Sequence, residues 1–219
     1  FLIVPGLSWG MTPPSLYILL TLNNVENLMS NNTINIALIG YGFVGKTFHA
    51  PLIRSVPGLN LAFVASRDEE KVKRDLPDVT VIASPEAAVQ HPDVDLVVIA
   101  SPNATHAPLA RLALNAGKHV VVDKPFTLDM QEARELIALA EEKQRLLSVF
   151  HNRRWDSDYL GIRQVIEQGT LGAVKHFESH FDRFRPEVRV RWREQNVPGS
   201  GLWFDLGPHL IDQARQLFG

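Results

Sequence analysis

Ile34 to Ile39 form a short, mostly apolar run, and the chain leaves it through Gly40-Tyr41-Gly42-Phe43-Val44-Gly45. A G-x-G-x-x-G pattern alone is a weak signal. Placed directly after a buried strand and at the start of a helix, it constrains the fold strongly. Gly40 permits the tight turn, Gly42 lets a ligand's pyrophosphate approach the backbone, and Gly45 lets the helix lie close to the strand. The free N–H groups at the helix start suit phosphate oxygens. The competing reading is an ordinary glycine-rich turn. The strand before and the helix after favour a domain that holds a nicotinamide dinucleotide.

The rhythm that follows supports this reading. Strand patterns at Leu59–Ala65, Val79–Ala83, Val94–Ala100, His119–Val122 and Leu146–Phe150 alternate with helical ones. Such alternation predicts an α/β fold, a Rossmann-type doubly wound parallel sheet. Pro51 lacks an N–H, so the first helix should kink or restart near Ala50. Ser84 and Asp129 are expected helix caps, and Gly117 is expected to close the helix from Thr105 to Ala116. Residues 33–150 therefore read as one complete dinucleotide-binding domain.

After His151 the pattern changes. Trp155–Gln168 reads as a helix ended by Gly169, Ala173–Phe184 as a long alternating strand, and Trp203–Phe218 as another helix. Residues 151–219 are expected to begin an α+β second domain that is incomplete, because one long strand cannot bury a face alone. Residues 1–32 are expected to be a leader or upstream extension outside the fold, the competing reading being an N-terminal arm that docks on it. The first 45 residues contain no Lys or Arg, so they lack the basic start of a secretory signal, and Met29 reads as the natural start. The run Leu16–Leu20 is too short to span a bilayer.

Composition narrows the function. A formal net charge of -2 gives no general attraction to nucleic acid or anionic membranes. The chain has no cysteine, which excludes disulfides and thiolate chemistry and is compatible with a reducing cytoplasm, the expected location.

The strand ends carry the chemistry. A carboxylate at the end of the second strand usually binds the ribose hydroxyls of NAD. Here Ser66 and Arg67 stand at that point, a pair suited to a 2′-phosphate, so NADP is favoured. Asp68 keeps NAD open if the strand ends later. Ser101-Pro102-Asn103 with His106 follows the fourth strand, and Asp123-Lys124-Pro125 follows the fifth, both at carboxyl ends that face a cofactor in such sheets. Pro125 biases Lys124 towards extended backbone. A Lys in that crevice can handle a proton. Asp205 and His209 are four apart on an expected helix and share a face; a His can accept a hydroxyl proton while the carboxylate orients it. Taken alone, that pair reads more readily as a buried His beside a capping Asp.

Together these features resemble the glucose-fructose oxidoreductase, inositol dehydrogenase and rhizopine-catabolism oxidoreductases, the Gfo/Idh/MocA family. The resemblance covers residues 33–219. The family's Glu-Lys-Pro motif is similar to Asp123-Lys124-Pro125, its Asp-x-x-x-His motif to Asp205–His209, and its glycine-rich lead-in to Gly199-Ser200-Gly201. The resemblance implies that Lys124, Asp205 and His209 are catalytic and also face the substrate. It places Trp192-Arg193 near the cofactor and Asp123 beside Lys124. The stretch Phe150-His151-Asn152-Arg153-Arg154-Trp155-Asp156 resembles a branch with NADP-using scyllo-inositol dehydrogenases, and Asn152 is expected to contact substrate. Asp in place of Glu before the lysine is a departure, one methylene shorter.

His176, Glu178, His180 and Asp182 share a strand face by period two. A metal site is one reading. A polar wall holding a polyol, with His180 in contact, is preferred because the family needs no metal. Arg183, Arg185, Arg189, Arg191 and Arg193 form a basic run diluted by Asp182, Glu187 and Glu194, so a phosphate-facing loop or subunit contact is preferred to nucleic acid. The expected activity is hydride transfer between a polyol or sugar secondary alcohol and NADP, with a small-molecule substrate, no nucleic acid or membrane partner, and a homo-oligomer in the full-length protein. The alternative is a dinucleotide-binding regulator without catalysis; the presence of Lys124, Asp205 and His209 favours an enzyme. The 219 residues alone are expected to bind cofactor but to turn over little, because the family continues into a large sheet.

Overall fold

The structure is a computed structural model that describes residues 33–182, 184–187 and 194–219, together with the backbone of Leu2–Ile3. It divides into two compact units, Phe1–Val149 and Phe150–Gly219.

The first unit is built on strands β1 (Leu2–Ile3), β2 (Ile34–Ile39), β3 (Leu59–Ala65), β4 (Thr80–Ile82), β5 (Leu96–Ile99), β6 (His119–Asp123) and β7 (Leu147–Phe150). Their spatial order is β1-β7-β6-β5-β2-β3-β4. The pairs β2–β3, β2–β5, β3–β4 and β5–β6 are parallel. The parallel winding thus begins at β2, runs outward through β3 and β4, then crosses back to β5 and continues the other way. The switch point lies between β2 and β5, where an open α/β sheet forms its ligand crevice.

Alternate residues of β2 serve two cores. Ile36 and Leu38 pack with Leu61, Val64 and Val72 on one face. Ala37 and Ile39 pack with Phe63, Val97 and Val120 on the other. Burial on both faces explains why this strand reads as an apolar run rather than an alternating one.

The helices are α1 (Ala50–Ser55), α2 (Glu69–Asp75), α3 (Pro85–Val89), α4 (His106–Asn115) and α5 (Met130–Glu142). Their ends follow the sequence chemistry. Ser84 Oγ accepts from Ala87 N at 3.2 Å, and Asp129 Oδ1 accepts from Gln131 N at 2.7 Å and Glu132 N at 3.1 Å. Gly117 takes φ +73° after α4. The restart expected at Pro51 is present. A five-residue π-turn, Gly45–His49, precedes α1, and Pro51 sits in the first turn of the new helix.

Leu2 pairs antiparallel with Ser148, and Ile3 with Leu147. The outer edge of β7 offers unpaired backbone groups that an extended segment can take.

The second unit contains a 3₁₀ turn at Asn152–Trp155, helix α6 (Ser157–Glu167) and helix α7 (Gly201–Phe218). Gly199 and Gly201 both take positive φ, +79° and +86°, which explains the glycines leading into α7. Gly169 at φ +69° follows α6 as expected. The expected strand from Ala173 to Phe184 is not formed over residues 173–182. A strand exists only through ladder bonds to a neighbour, and the described residues supply none. Its apolar side chains still find partners: Phe177 meets Phe218 edge-on at 5.1 Å, and Arg153 lies 4.9 Å over the Phe181 ring.

Candidate functional site

The glycine loop sits at the carboxyl end of β2, beside the carboxyl end of β5. Gly40 takes φ +99°, and a Cβ there would stand 2.7 Å from the Ala100 carbonyl oxygen. A Cβ at Gly45 would collide with the Gly40 carbonyl and lie 3.7 Å from Leu38 Cδ2. Glycine at 40 and 45 is therefore demanded by the protein itself. Gly42 differs: it is exposed, and a Cβ there would meet no protein atom within 4 Å. A cradle closed at 40 and 45 and open at 42 fits a pyrophosphate approaching the backbone. Phe43 is exposed against the edge of Phe48, with ring centroids 5.9 Å apart, and Val44 is half-buried in the first turn.

The loop is braced from behind by groups the sequence did not reveal. Lys46 Nζ lies 2.6 Å from Asp75 Oδ2, and the buried Tyr41 donates its hydroxyl to the same carboxylate at 3.4 Å. The Lys46 ammonium holds the Asp75 carboxyl below its usual range. Burial, and then Asp75, push the Tyr41 phenol up. The Tyr41 side chain thus packs into the protein interior.

At the end of β3, Ser66 Oγ accepts from Asp68 N at 3.1 Å. Asp68 Oδ1 accepts from Lys71 N at 2.9 Å and so caps α2. The carboxylate that kept NAD open is committed to a helix start. Arg67 is exposed and makes no ion pair among the described residues.

His106, expected at the cofactor, lies inside the protein. It is 1% exposed, with Nδ1 2.7 Å from the Pro125 carbonyl and Nε2 3.0 Å from the Ser101 carbonyl. Both ring nitrogens face main-chain carbonyls, so the ring lies packed between the loop after β5 and the loop after β6. Ser101 Oγ is bonded to Thr105 Oγ1 at 2.6 Å, and Pro102 leads into the 3₁₀ turn Asn103–Thr105, where Asn103 is buried.

Asp123 ends β6, 7% exposed, and its Oδ1 accepts from Lys124 N at 2.9 Å. Lys124 is 9% exposed, and the Lys124–Pro125 peptide is cis. The shorter Asp thus bonds the backbone of the residue it precedes.

In the second unit, Asp205 and His209 lie one turn apart on α7, Asp205 half-buried and His209 5% exposed. Asn152 is half-buried in the 3₁₀ turn. His180 is exposed and lies 3.4 Å from Glu178, which also holds His176 at 2.8 Å. No metal-competent cluster occurs among the described residues. Trp192, Arg193, Arg183, Arg189 and Arg191 lie outside the described residues. An apolar cavity of about 330 Å³ beside α7 is lined by Phe181, Leu202, Trp203 and Leu206 among others. No described helix is long and apolar enough to cross a membrane.

A doubly wound sheet with a glycine cradle at its switch point defines a dinucleotide-binding domain. Comparison with known proteins specifies the class. Residues 34–151 match the model described as "Oxidoreductase family, NAD-binding Rossmann fold", and residues 159–219 match the GFO/IDH/MocA C-terminal domain. The chain belongs to the GFO/IDH/MocA oxidoreductase family. It is 61% identical to the uncharacterized oxidoreductase YdgJ of Escherichia coli over 87% of this chain and 55% of that protein. It is 39% identical to scyllo-inositol 2-dehydrogenase (NADP(+)) IolW of Bacillus subtilis, over 86% of this chain and 52% of that one. A crystal structure from Klebsiella pneumoniae is 93% identical and superposes with a TM-score of 0.79, over 86% of this chain and 52% of that chain. The chain spans about half the length of the curated relatives it matches.

Proposed function

We propose that the full-length protein transfers a hydride between a secondary alcohol of a polyol or sugar, inositol-like in class, and NADP. The observation that carries this reading is Lys124, 9% exposed at the carboxyl end of β6. That end of the sheet also carries the glycine cradle. The similarity to IolW, named for scyllo-inositol and NADP, supports the substrate class and the cofactor. The end of β3 supports NADP independently, with Asp68 committed to a cap and Arg67 exposed.

A dinucleotide held by its pyrophosphate at the glycine cradle would supply the hydride chemistry. The residues of the chain handle everything else. Gly42 leaves the backbone of the loop open to the pyrophosphate, between the closed positions Gly40 and Gly45. Ser66 and Arg67 hold the 2′-phosphate. Lys124 donates to the reacting oxygen and stabilises negative charge as it develops there. His209 takes the proton of the hydroxyl, with Asp205 one turn before it orienting the ring. Asn152 contributes a hydrogen bond to the substrate.

The test is a polyol panel assayed with NADP in the full-length protein, with Lys124→Met and His209→Asn alongside. Reduction of NADP by at least one cyclic polyol, lost in both variants, is the expected result. Full turnover in both variants would overturn the assignment, and dinucleotide binding without turnover of any polyol would favour a regulator.

A further inference from the structure

Helix α7 is weakened beside the residue that the proposed reaction uses. Pro208 immediately precedes His209 and lacks the N–H that would bond the Phe204 carbonyl. Gly207 is next to it, and a Cβ there would stand 3.2 Å from the Trp203 ring. A helix missing one internal bond and carrying a glycine at the same turn is poorly held in rotation by its own backbone. His209 is nonetheless buried, so its ring has to be presented in one orientation.

The hold comes from outside the helix. Arg154 Nε donates to Asp212 Oδ2 at 2.7 Å, and Nη2 donates to Oδ1 at 2.5 Å. This is a two-bond fork on a carboxylate that is itself 8% exposed. The next residue of the helix, Gln213, donates from Nε2 to the Arg153 carbonyl at 2.8 Å. Two pins on adjacent helical positions, about 100° apart around the axis, fix rotation where one would leave a pivot. Asp205, His209 and Asp212 fall at i, i+4 and i+7, one face of the helix. The fork therefore grips the stripe that carries the proposed proton-handling pair.

The anchor is also stiff. Arg153 Nη1 donates to Asp156 Oδ2 at 2.7 Å, bracing the 3₁₀ turn that presents Arg154. Asn152 opens that same turn.

We propose that Arg154 is a positioning residue, which through Asp212 sets the rotation of α7 and so the aim of His209 and Asp205. The inference rests on the functional reading above, in which His209 takes the substrate proton. An isolated buried pair could equally serve stability alone. What distinguishes this one is its place on the His209 stripe, beside the weakened turn.

The experiment uses the full-length protein with NADP and a polyol that the parent oxidises. Arg154→Ala is expected to lower kcat by about tenfold to hundredfold, the scale of a misaimed group. NADP affinity, read by fluorescence titration, stays at the parent value because the cradle belongs to the first unit. The limb of the pH–rate profile belonging to the base shifts. Added ethylguanidinium restores part of kcat saturably. Loss of a purely structural brace would scale the active fraction and leave the pH limb unmoved. Parent-like kcat in Arg154→Ala, or a fall in kcat with an unmoved limb and no rescue, overturns the inference while the functional reading stands. Absence of turnover in the parent overturns both. If Arg154→Ala does not fold, Arg154→Lys decides. It keeps the charge and loses the fork, so reduced kcat with a shifted limb supports the inference, and parent-like values overturn it.

Discussion

The carbonyl oxygen of Gly40 occupies the space that a side chain at Gly45 would need. The turn out of β2 and the start of the following π-turn are therefore closed on each other, and neither end tolerates a Cβ without backbone movement. Gly42, between them, faces no protein atom. The three glycines of the loop thus have two separable roles, and a pair of substitutions separates them. Gly45→Ala should destabilise the first unit by about 1–3 kcal/mol, the usual penalty of overpacking. Gly42→Ala should change stability by less than about 0.5 kcal/mol, as an exposed site does, yet weaken dinucleotide binding at least about tenfold. Urea denaturation and a fluorescence titration check both. Equal stability losses in the two variants would contradict the division.

The end of β3 predicts the cofactor preference. With Asp68 capping α2, Arg67 is the group left to meet a 2′-phosphate. Arg67→Ala should weaken NADP by about tenfold to hundredfold, the worth of charge-assisted hydrogen bonds, while NAD affinity changes little. Titration of both dinucleotides measures the ratio. Asp68→Ala tests the other side: it should cost about 1 kcal/mol of stability through the lost cap, with little effect on the preference.

His49 predicts a pH dependence of stability. It is 4% exposed at the end of the π-turn, and burial lowers its pKa to about 4 from 6.5. Between these values the unfolded chain binds a proton that the folded chain does not, so stability falls as pH is lowered. The contribution is whole above about pH 6.5 and is lost on the way to about pH 4, a change of about 3 kcal/mol at the limit. Urea midpoints at pH 7 and pH 4.5 should converge more in His49→Gln than in the parent. An identical pH dependence in the two proteins would sink the prediction.

Much of the first unit was legible because its elements satisfy local rules. β2 and β3 run over the expected residues, Ser84 and Asp129 cap where their side chains predict, and Pro51 restarts the helix because it has no N–H. What escaped depended on long-range pairing. Nothing near His106 in sequence shows that its ring would reach the Pro125 carbonyl nineteen residues on. After a strand end a main-chain brace and a binding group have the same residue type, so local sequence does not separate the two at His106. The partnership of Arg154 with Asp212 is separated by 58 residues and was equally hidden. The spacing of Asp212 from Asp205 was the one local signal. The stretch after Ala173 failed for a different reason: alternation signals only that a strand can form, and pairing requires a neighbour.

The proposed reaction depends on Lys124 at the carboxyl end of β6. The most direct measurement is the steady-state rate of NADP reduction by cyclic polyols, comparing the full-length parent with Lys124→Met. A drop in kcat of about a hundredfold or more, the scale of removing one group that stabilises developing charge, is predicted, with NADP affinity retained. Unchanged turnover in Lys124→Met would contradict this role for Lys124.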